Sequence, residues 1–506
     1  MKALLVQLPH SDRFPSVFPI GIASIASALS EVGVDVEILD VFALGYSRAE
    51  VSEHLKKLRW DVIGISAFAT QYPWAKWIAA EAKRWQPGTL VVMGGPLPTY
   101  NAKLILDKTK TDVCVISEGE ETIKDIVQNL GNLAQVKGIY YRSDAGQIVV
   151  TDPRPYIRDL DSLPFTRYDI FPMDVYFKNM GMGGVPNVKT INLVTSRGCP
   201  YSCNFCSRTF SGARFRSVDK IVEEIGLLRD QYGIRGVTFN DELVLSGKKR
   251  AYELCEKIKP LRVYWDCQGR ANIVDLDLLR AMKAAGCTTV GYGVESGSQK
   301  ILDNMNKKVA VWQNELAVTN TLKAGMTPVV QMIYGYPGED LETIRETVEF
   351  FKRVHFYPPV GKGEPHFNLL TALPGSPLYE ELLTNGRVTN EEEYLIGLEH
   401  GYYVGSPLRM NFTQFSDDEL LVQKSKLSSQ VRANYRGYQL KHPMELVRSH
   451  VRLFSTVRVV EGYPGVARMI AGGICLLVSR GFSRIRLYIS RNLSKMKDVP
   501  NLVRPA

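Results

Sequence analysis

Thr195-Ser196-Arg197-Gly198-Cys199-Pro200-Tyr201-Ser202-Cys203-Asn204-Phe205-Cys206 carries three cysteines at C-x3-C-x2-C spacing. An iron–sulfur cube takes four ligands, one per iron, so three thiolates on one short loop hold three irons and leave the fourth open. A structural zinc site closes instead with a fourth Cys or His at paired spacing, and the sequence near this loop supplies none. A [4Fe-4S] cluster on Cys199, Cys203 and Cys206 is the expected metal site, with its chemistry at the open iron.

Downstream, apolar runs ending near 194 and covering 236–240, 263–267, 288–294, 329–334 and 367–370 alternate with helical patterns such as 218–232, 248–258 and 341–351. Six β/α units predict a partial parallel barrel over residues 188–390, with the cluster loop after its first strand, at the end where such barrels keep their active sites. Upstream, strand patterns at 2–8, 34–39, 62–66, 90–94 and 113–116 with intervening helices predict a doubly wound, Rossmann-like sheet over residues 1–150. No G-x-G-x-x-G follows the first strand, so a nicotinamide cofactor is not expected. Residues 151–187, rich in Pro, Asp and aromatics, read as a linker, and residues 391–506 as a mainly α-helical C-terminal region. The fold class is α/β.

The chain has 506 residues, 45% hydrophobic and 23% charged, which suits a globular protein of about three domains. Cys114, Cys255, Cys267, Cys287 and Cys475 lie scattered in apolar contexts and read as buried thiols, as in a reducing cytoplasm. The first residues enter a strand pattern directly, so no signal peptide is expected. Between 451 and 506, eight Arg and two Lys face only Glu461 and Asp498, a net plus eight of the chain's plus nine. The apolar run 469–478 is too short to span a bilayer. This basic amphipathic region is a candidate for peripheral contact at the inner membrane surface, its ordinary reading being a solvated helical face.

The flanking Arg-Gly-Cys-Pro and the three-cysteine loop resemble the radical S-adenosylmethionine (SAM) superfamily. With Phe18-Pro19-Ile20-Gly21, Val62-Ile63-Gly64-Ile65-Ser66, Gly94-Gly95-Pro96 and Glu118-Gly119-Glu120 ahead of it, the chain looks like the cobalamin-binding subfamily over about residues 1–390. The resemblance implies that SAM chelates the open iron. It also implies that cobalamin lies against the first domain, with Phe68 and Tyr72 beneath the corrin and Gly94, Gly95, Glu118 and Gly119 around it. The Asp-x-His-x-x-Gly motif that ligates cobalt from below in other cobalamin proteins is absent. His10 is a candidate substitute, though a lone loop histidine is usually solvated.

The barrel strand ends supply the candidate SAM site. Asp241 and Glu242 face the methionine ammonium or cap a helix, and Arg270 offers a planar fork to the carboxylate. Gly293, Glu295 and Ser296 match the family's Gly-x-Glu-Ser segment, and Tyr334 with Gly335 resembles the segment against adenine. Tyr201 and Tyr334 are candidates for moving a proton or hydrogen atom, packing being the ordinary reading; Tyr292 and Tyr336 share that choice. The expected reaction is reductive cleavage of SAM to a 5′-deoxyadenosyl radical and methylation of an unactivated carbon through methylcobalamin. The substrate is expected to be a small molecule or lipid-like, and the electron donor a flavodoxin or ferredoxin; no nucleic acid is expected. The alternative within the family is a cyclase or rearrangement enzyme of the anaerobic porphyrin cyclase type. A cobalamin-dependent sensor is disfavoured because it needs no cluster, and an RNA methylthiotransferase because only Cys114 precedes Cys199.

Overall fold

The computed structural model describes residues 1–9, 17–177, 181–182, 185–186, 188–245, 247–355, 367–400, 408–442 and 457–461. His10 and the apolar run 469–478 lie outside them. The N-terminal sheet contains β1 (Lys2–Gln7), β2 (Asp35–Asp40), β3 (Val62–Ser66), β4 (Leu90–Gly94), β5 (Val113–Val115), β6 (Ile139–Arg142) and β7 (Ile148–Val150), in the order 2-1-3-4-5-6-7. The first five strands are parallel. They read as near-continuous apolar runs because helices cover both faces: α1 (Ile20–Glu31) on one side, α2 (Tyr72–Trp85) and α3 (Pro96–Lys108) on the other. The strand order reverses between β1 and β3, which opens a crevice beyond their carboxyl ends. Strands β6 and β7 add an antiparallel hairpin at one edge. Three- and four-residue strands are too short to give a clear period, and the sequence reading had no strand there.

The second sheet is β8 (Thr190–Leu193), β9 (Gly236–Phe239), β10 (Tyr264–Gly269), β11 (Cys287–Glu295), β12 (Thr327–Tyr334) and β13 (Phe367–Leu369), all parallel and in sequence order. Its ends do not pair, so the barrel is open. Outside it lie α4 (Val218–Tyr232), α5 (Lys248–Ile258), α6 (Leu276–Ala284), α7 (Val311–Lys323) and α8 (Leu341–Val354), with α9 (Asp417–Lys441) packed on α8. Val237, Trp265, Cys267, Val290, Tyr292 and Val330 point outward into the apolar core. The inward row is polar: Asn192, Thr238, Asp266, Thr289 and Thr327 stand opposite one another across five strands. Gln268 lies over Gly291, where a Cβ would fall 2.4 Å from its Oε1, and Gln331 is exposed. At the lower end, Met182, Val185, Val188, Tyr264, Val457 and Val460 form an apolar plug.

Candidate active site

The cluster loop leaves β8 and is held at both ends. Gly198 has φ +83°, and a Cβ there would lie 2.4 Å from the Gly212 carbonyl, so only glycine permits this crossing. Asp241, 3% exposed, accepts from the Thr195 amide at 2.7 Å, the Thr195 hydroxyl at 2.9 Å and the Ser196 hydroxyl at 2.6 Å. Its Oδ1 is thus committed to bracing the loop base, while its Oδ2 has no hydrogen-bond partner among the described residues. Across the loop, the Asn204 amide donates to the Met305 carbonyl at 3.0 Å, and the Ser207 hydroxyl donates to the Pro374 carbonyl at 2.6 Å.

Cys199, Cys203 and Cys206 are free thiols, Cys203 buried and the others half-buried. Burial, then Glu242 and the other two cysteines, push the Cys206 thiol up to about 12; burial also raises Cys199. No three His, Cys, Asp or Glu among the described residues converge tightly enough for a single metal ion. In a cube each thiolate meets a different iron, so the three thiols need not converge on one point. A cationic core among these thiols also supplies the positive charge that stabilises their thiolate forms.

Beside the loop, the Arg270 guanidinium stacks 3.4 Å from the Tyr201 ring centroid and donates to the Lys307 carbonyl. Arg270 is 8% exposed, its Nε has no partner, and no carboxylate pairs with it among the described residues. A buried cation without a counter-charge is costly to keep. The Tyr201 ring is the face on which Arg270 lies. Glu295 sits at φ +63°, a strained value for a non-glycine residue. Its carboxylate accepts from Lys307 at 2.8 Å over the bare Cα of Gly293, where a Cβ would fall 2.2 Å from Oε1. Ser296 accepts from the Ser298 amide at 3.1 Å, and Gly335 donates to Glu339 at 2.5 Å. Glu242 is exposed and faces the Cys199 and Cys206 side of the loop. Tyr334 does not reach this space: its hydroxyl donates to the Leu420 carbonyl of α9 at 3.2 Å, because strand alternation turns it to the outer face. This removes it as a hydrogen-moving group.

A cavity of about 460 Å³ lies between the two sheets. One wall is the crevice of the N-terminal domain, with Ile20, Gly21, Phe68, Gly94, Gly95 and Gly119; the other carries Ser196, Arg197, Gly198, Thr209, Phe210 and Glu242. Gly95 has φ +98°, and a Cβ on it would lie 2.9 Å from the Ala67 carbonyl. Phe68 is 48% exposed at the rim. Tyr72 is turned the other way: it is fully buried in α2 and its hydroxyl donates to Glu392 at 2.6 Å, so it cannot lie beneath a ligand here. Among the described residues, which do not include His10, no histidine lines the cavity, and its wide, mostly apolar walls suit a large planar ligand.

The two walls are clasped by charges the sequence reading passed over. Arg197 pairs with Glu118 at 2.7 Å and Glu120 at 2.5 Å, and Arg214 with Glu118 at 2.9 Å. The Ile157 amide also donates to Glu118 at 2.7 Å, so Glu118 lines the cavity while its charge is held by the clasp. Arg197 stood inside the quoted loop, but its partners are about 80 residues away and nothing local announces them. Lys307 and Asp266 were missed for the same reason.

Residues 14–127 match the B12 binding domain family and residues 193–351 the radical SAM superfamily. The chain is 33% identical to an uncharacterised methyltransferase of Pyrococcus horikoshii, over 76% of this chain and 84% of that one. It is 28% identical to the anaerobic magnesium-protoporphyrin IX monomethyl ester cyclase of Cereibacter sphaeroides, over 74% of this chain and 62% of that one. The fold is shared with the radical SAM methyltransferase TsrM of Kitasatospora setae, solved with tryptophan and a SAM analogue, at TM-score 0.62 and 18% identity over 76% of each chain. With three thiols on one loop, an unpaired buried arginine beside them and a glycine-walled crevice opposite, the chain belongs to the cobalamin-binding radical SAM enzymes.

Proposed function

We propose that this chain is a cobalamin-dependent radical SAM methyltransferase acting on a carbon of a small, polar molecule. The observation that carries the reading is the cavity shared by the Gly94–Gly95 crevice and the start of the cluster loop at Ser196, Arg197 and Gly198, which supports a corrinoid and a cluster meeting across one space. When bound, the cluster supplies the electron for reductive SAM cleavage and cobalamin carries the methyl group. The chain's own residues then have separable tasks. Asp241 fixes the loop, Arg270 on its Tyr201 platform meets the methionine carboxylate, and the Glu295–Lys307 pair sits over Gly293 where the SAM backbone is expected. The clasp around Arg197 keeps water from the cavity.

The inward row of Thr238, Asp266, Thr289, Gln268 and Gln331 supports a substrate with hydroxyl or amino groups over a lipid-like one, since a polar row favours a polar body against it. A flavodoxin or ferredoxin is the electron donor in this reading. Peripheral membrane contact rests on the basic tail alone, and no helix among the described residues is long and apolar enough to cross a membrane.

The test is anaerobic reconstitution with iron, sulfide and hydroxocobalamin, addition of SAM and reductant, and mass spectrometry of both SAM-derived products, with Cys203→Ala as control. 5′-Deoxyadenosine together with S-adenosylhomocysteine supports methyl transfer. Deoxyadenosine alone, with substrate present and consumed, favours the cyclase reading that the Cereibacter relative keeps in view.

A further inference from the structure

The inward face of β10 carries Tyr264, Asp266 and Gln268 at alternate positions, and Arg270 follows in the same phase. At about 3.3 Å per residue, Asp266 lies about 13 Å below Arg270, deep in the open barrel. The floor beneath it is closed: Tyr264 is fully buried in the apolar plug, and its hydroxyl donates to Glu461 at 2.7 Å. Above it there is open space, since Gln331 is exposed although it stands opposite Gly293 on the inward side of β12.

Asp266 is half-buried and takes one hydrogen bond from the fold, from the Thr238 hydroxyl to Oδ2 at 3.3 Å. Its Oδ1 has no hydrogen-bond partner among the described residues. Its neighbours in the row are Thr238 on β9 and Thr289 on β11, about 5 Å to either side. Below Arg270 and Glu295, Asp266 is the one charged side chain among the described inward positions of the six strands. Burial pushes its carboxyl up to about 6, which still leaves it ionised at neutral pH. A buried charge without a counter-charge is costly to keep.

The surroundings select the cation that answers it. No three His, Cys, Asp or Glu converge here among the described residues, which leaves a divalent metal short of charged ligands. An ammonium has three donors and no acceptor. The row offers it three acceptors: the free Oδ1 and the oxygens of the Thr238 and Thr289 hydroxyls. A neutral hydroxyl in the same place would leave the charge uncompensated.

We propose that the barrel lumen is the substrate pocket and that Asp266 anchors a protonated amine of the substrate there, with Thr238 and Thr289 completing its hydrogen bonds. This rests on the reading of the chain as an enzyme acting on a small polar molecule, and it names the class: a primary amine, held by its ammonium near the lumen floor with the rest of the molecule toward the cluster end.

The probes are ethanolamine and ethylene glycol, which differ only in an amine against a hydroxyl. The full chain, as wild type and as Asp266→Asn, is titrated with each at neutral pH and fixed ionic strength, and affinity is taken from the rise in melting temperature. Ethanolamine should bind the wild type at least roughly tenfold tighter than ethylene glycol, the margin of one hydrogen bond to a charged group. Asp266→Asn should lose that margin while melting no lower than the wild type in the absence of probe. Glu342→Gln, which removes an exposed carboxylate on the outer helix α8, should keep it. Equal binding of the two probes by the wild type overturns the proposal, and so does a preference for ethanolamine that survives in Asp266→Asn. A variant that melts below the wild type also overturns it, because the carboxylate would then have a partner in the fold. The same wild-type preparation, reconstituted with iron and sulfide and given SAM and reductant, tests the functional reading separately. Amine preference without 5′-deoxyadenosine defeats that reading and supports the anchor, whereas 5′-deoxyadenosine without amine preference defeats the anchor alone.

Discussion

The two walls of the cavity hold their ligands by opposite means. The N-terminal wall, built from Ile20, Gly21, Gly94, Gly95 and Gly119, is apolar and offers shape: it removes side chains so that a large ligand can approach the backbone. The barrel domain meets the cavity with the flanks of the cluster loop, Ser196, Arg197, Gly198 and Thr209, and its means are ligation and charge: three thiols on that loop, Arg270 on Tyr201, and the Glu295–Lys307 pair. Shape tolerates small displacements, whereas metal ligation and charge pairing do not, and the charges that the N-terminal wall does carry, Glu118 and Glu120, are tied to the barrel's Arg197 and Arg214.

The sharpest break of this comparison is Cys203→Ala. It should abolish cluster assembly and SAM cleavage while hydroxocobalamin still binds, as read by iron content and visible absorption; loss of both cofactors would mean the walls are not separable. Next is Arg197→Ala, which leaves the nearly buried Glu120 without its arginine and weakens the hold on Glu118. Breaking a buried pair from one side costs roughly 3–5 kcal/mol, so urea denaturation should show a fall of that order, with partial recovery when Glu120→Gln is added. Gly95→Ala forces a Cβ toward the Ala67 carbonyl at positive φ. It should destabilise by roughly 2 kcal/mol and weaken hydroxocobalamin binding while iron uptake remains at the wild-type level.

The smallest effect sharpens the description of the barrel interior. Burial raises the Asp266 carboxyl from 3.8 to about 6, with only the Thr238 hydroxyl at 3.3 Å opposing it. A folded-state pKa above the unfolded one means that the fold favours the protonated form, so this residue weakens folding progressively as pH rises from about 4 to about 6. Asp266→Asn should therefore stabilise by roughly 1–2 kcal/mol above that window and by nothing below it, measured as the difference in melting temperature at pH 8 and pH 4. A difference independent of pH would show that burial does not raise the carboxyl's pKa in the folded chain.

Legibility followed the range of the signal. The strands at 62–66 and 90–94 were readable to the residue because uninterrupted apolar runs bounded by turn residues have one reading in a covered parallel sheet. The hairpin formed by β6 and β7 was not readable, since neither strand is long enough to show a period. In the site, Arg270 was singled out from its place at a strand end and Glu295 from the family's Gly-x-Glu-Ser segment, and the structure puts both against Lys307. Tyr334 was found the same way and assigned a role its orientation does not allow, because position along a strand does not say which face a side chain takes when both neighbours are apolar.

The sequence alone determined the three-thiol loop, the order of the two domains and the parallel character of both sheets, because each is written in spacing within some tens of residues. Only the tertiary structure decided what each side chain is free to do. Asp241 braces the cluster loop through its Oδ1, and Glu118 is held by arginines 79 and 96 residues away. Hydrogen bonds and ion pairs act over a few ångströms in space with no regard to separation along the chain, so the free donors and acceptors of a site emerge only once the chain has closed on itself.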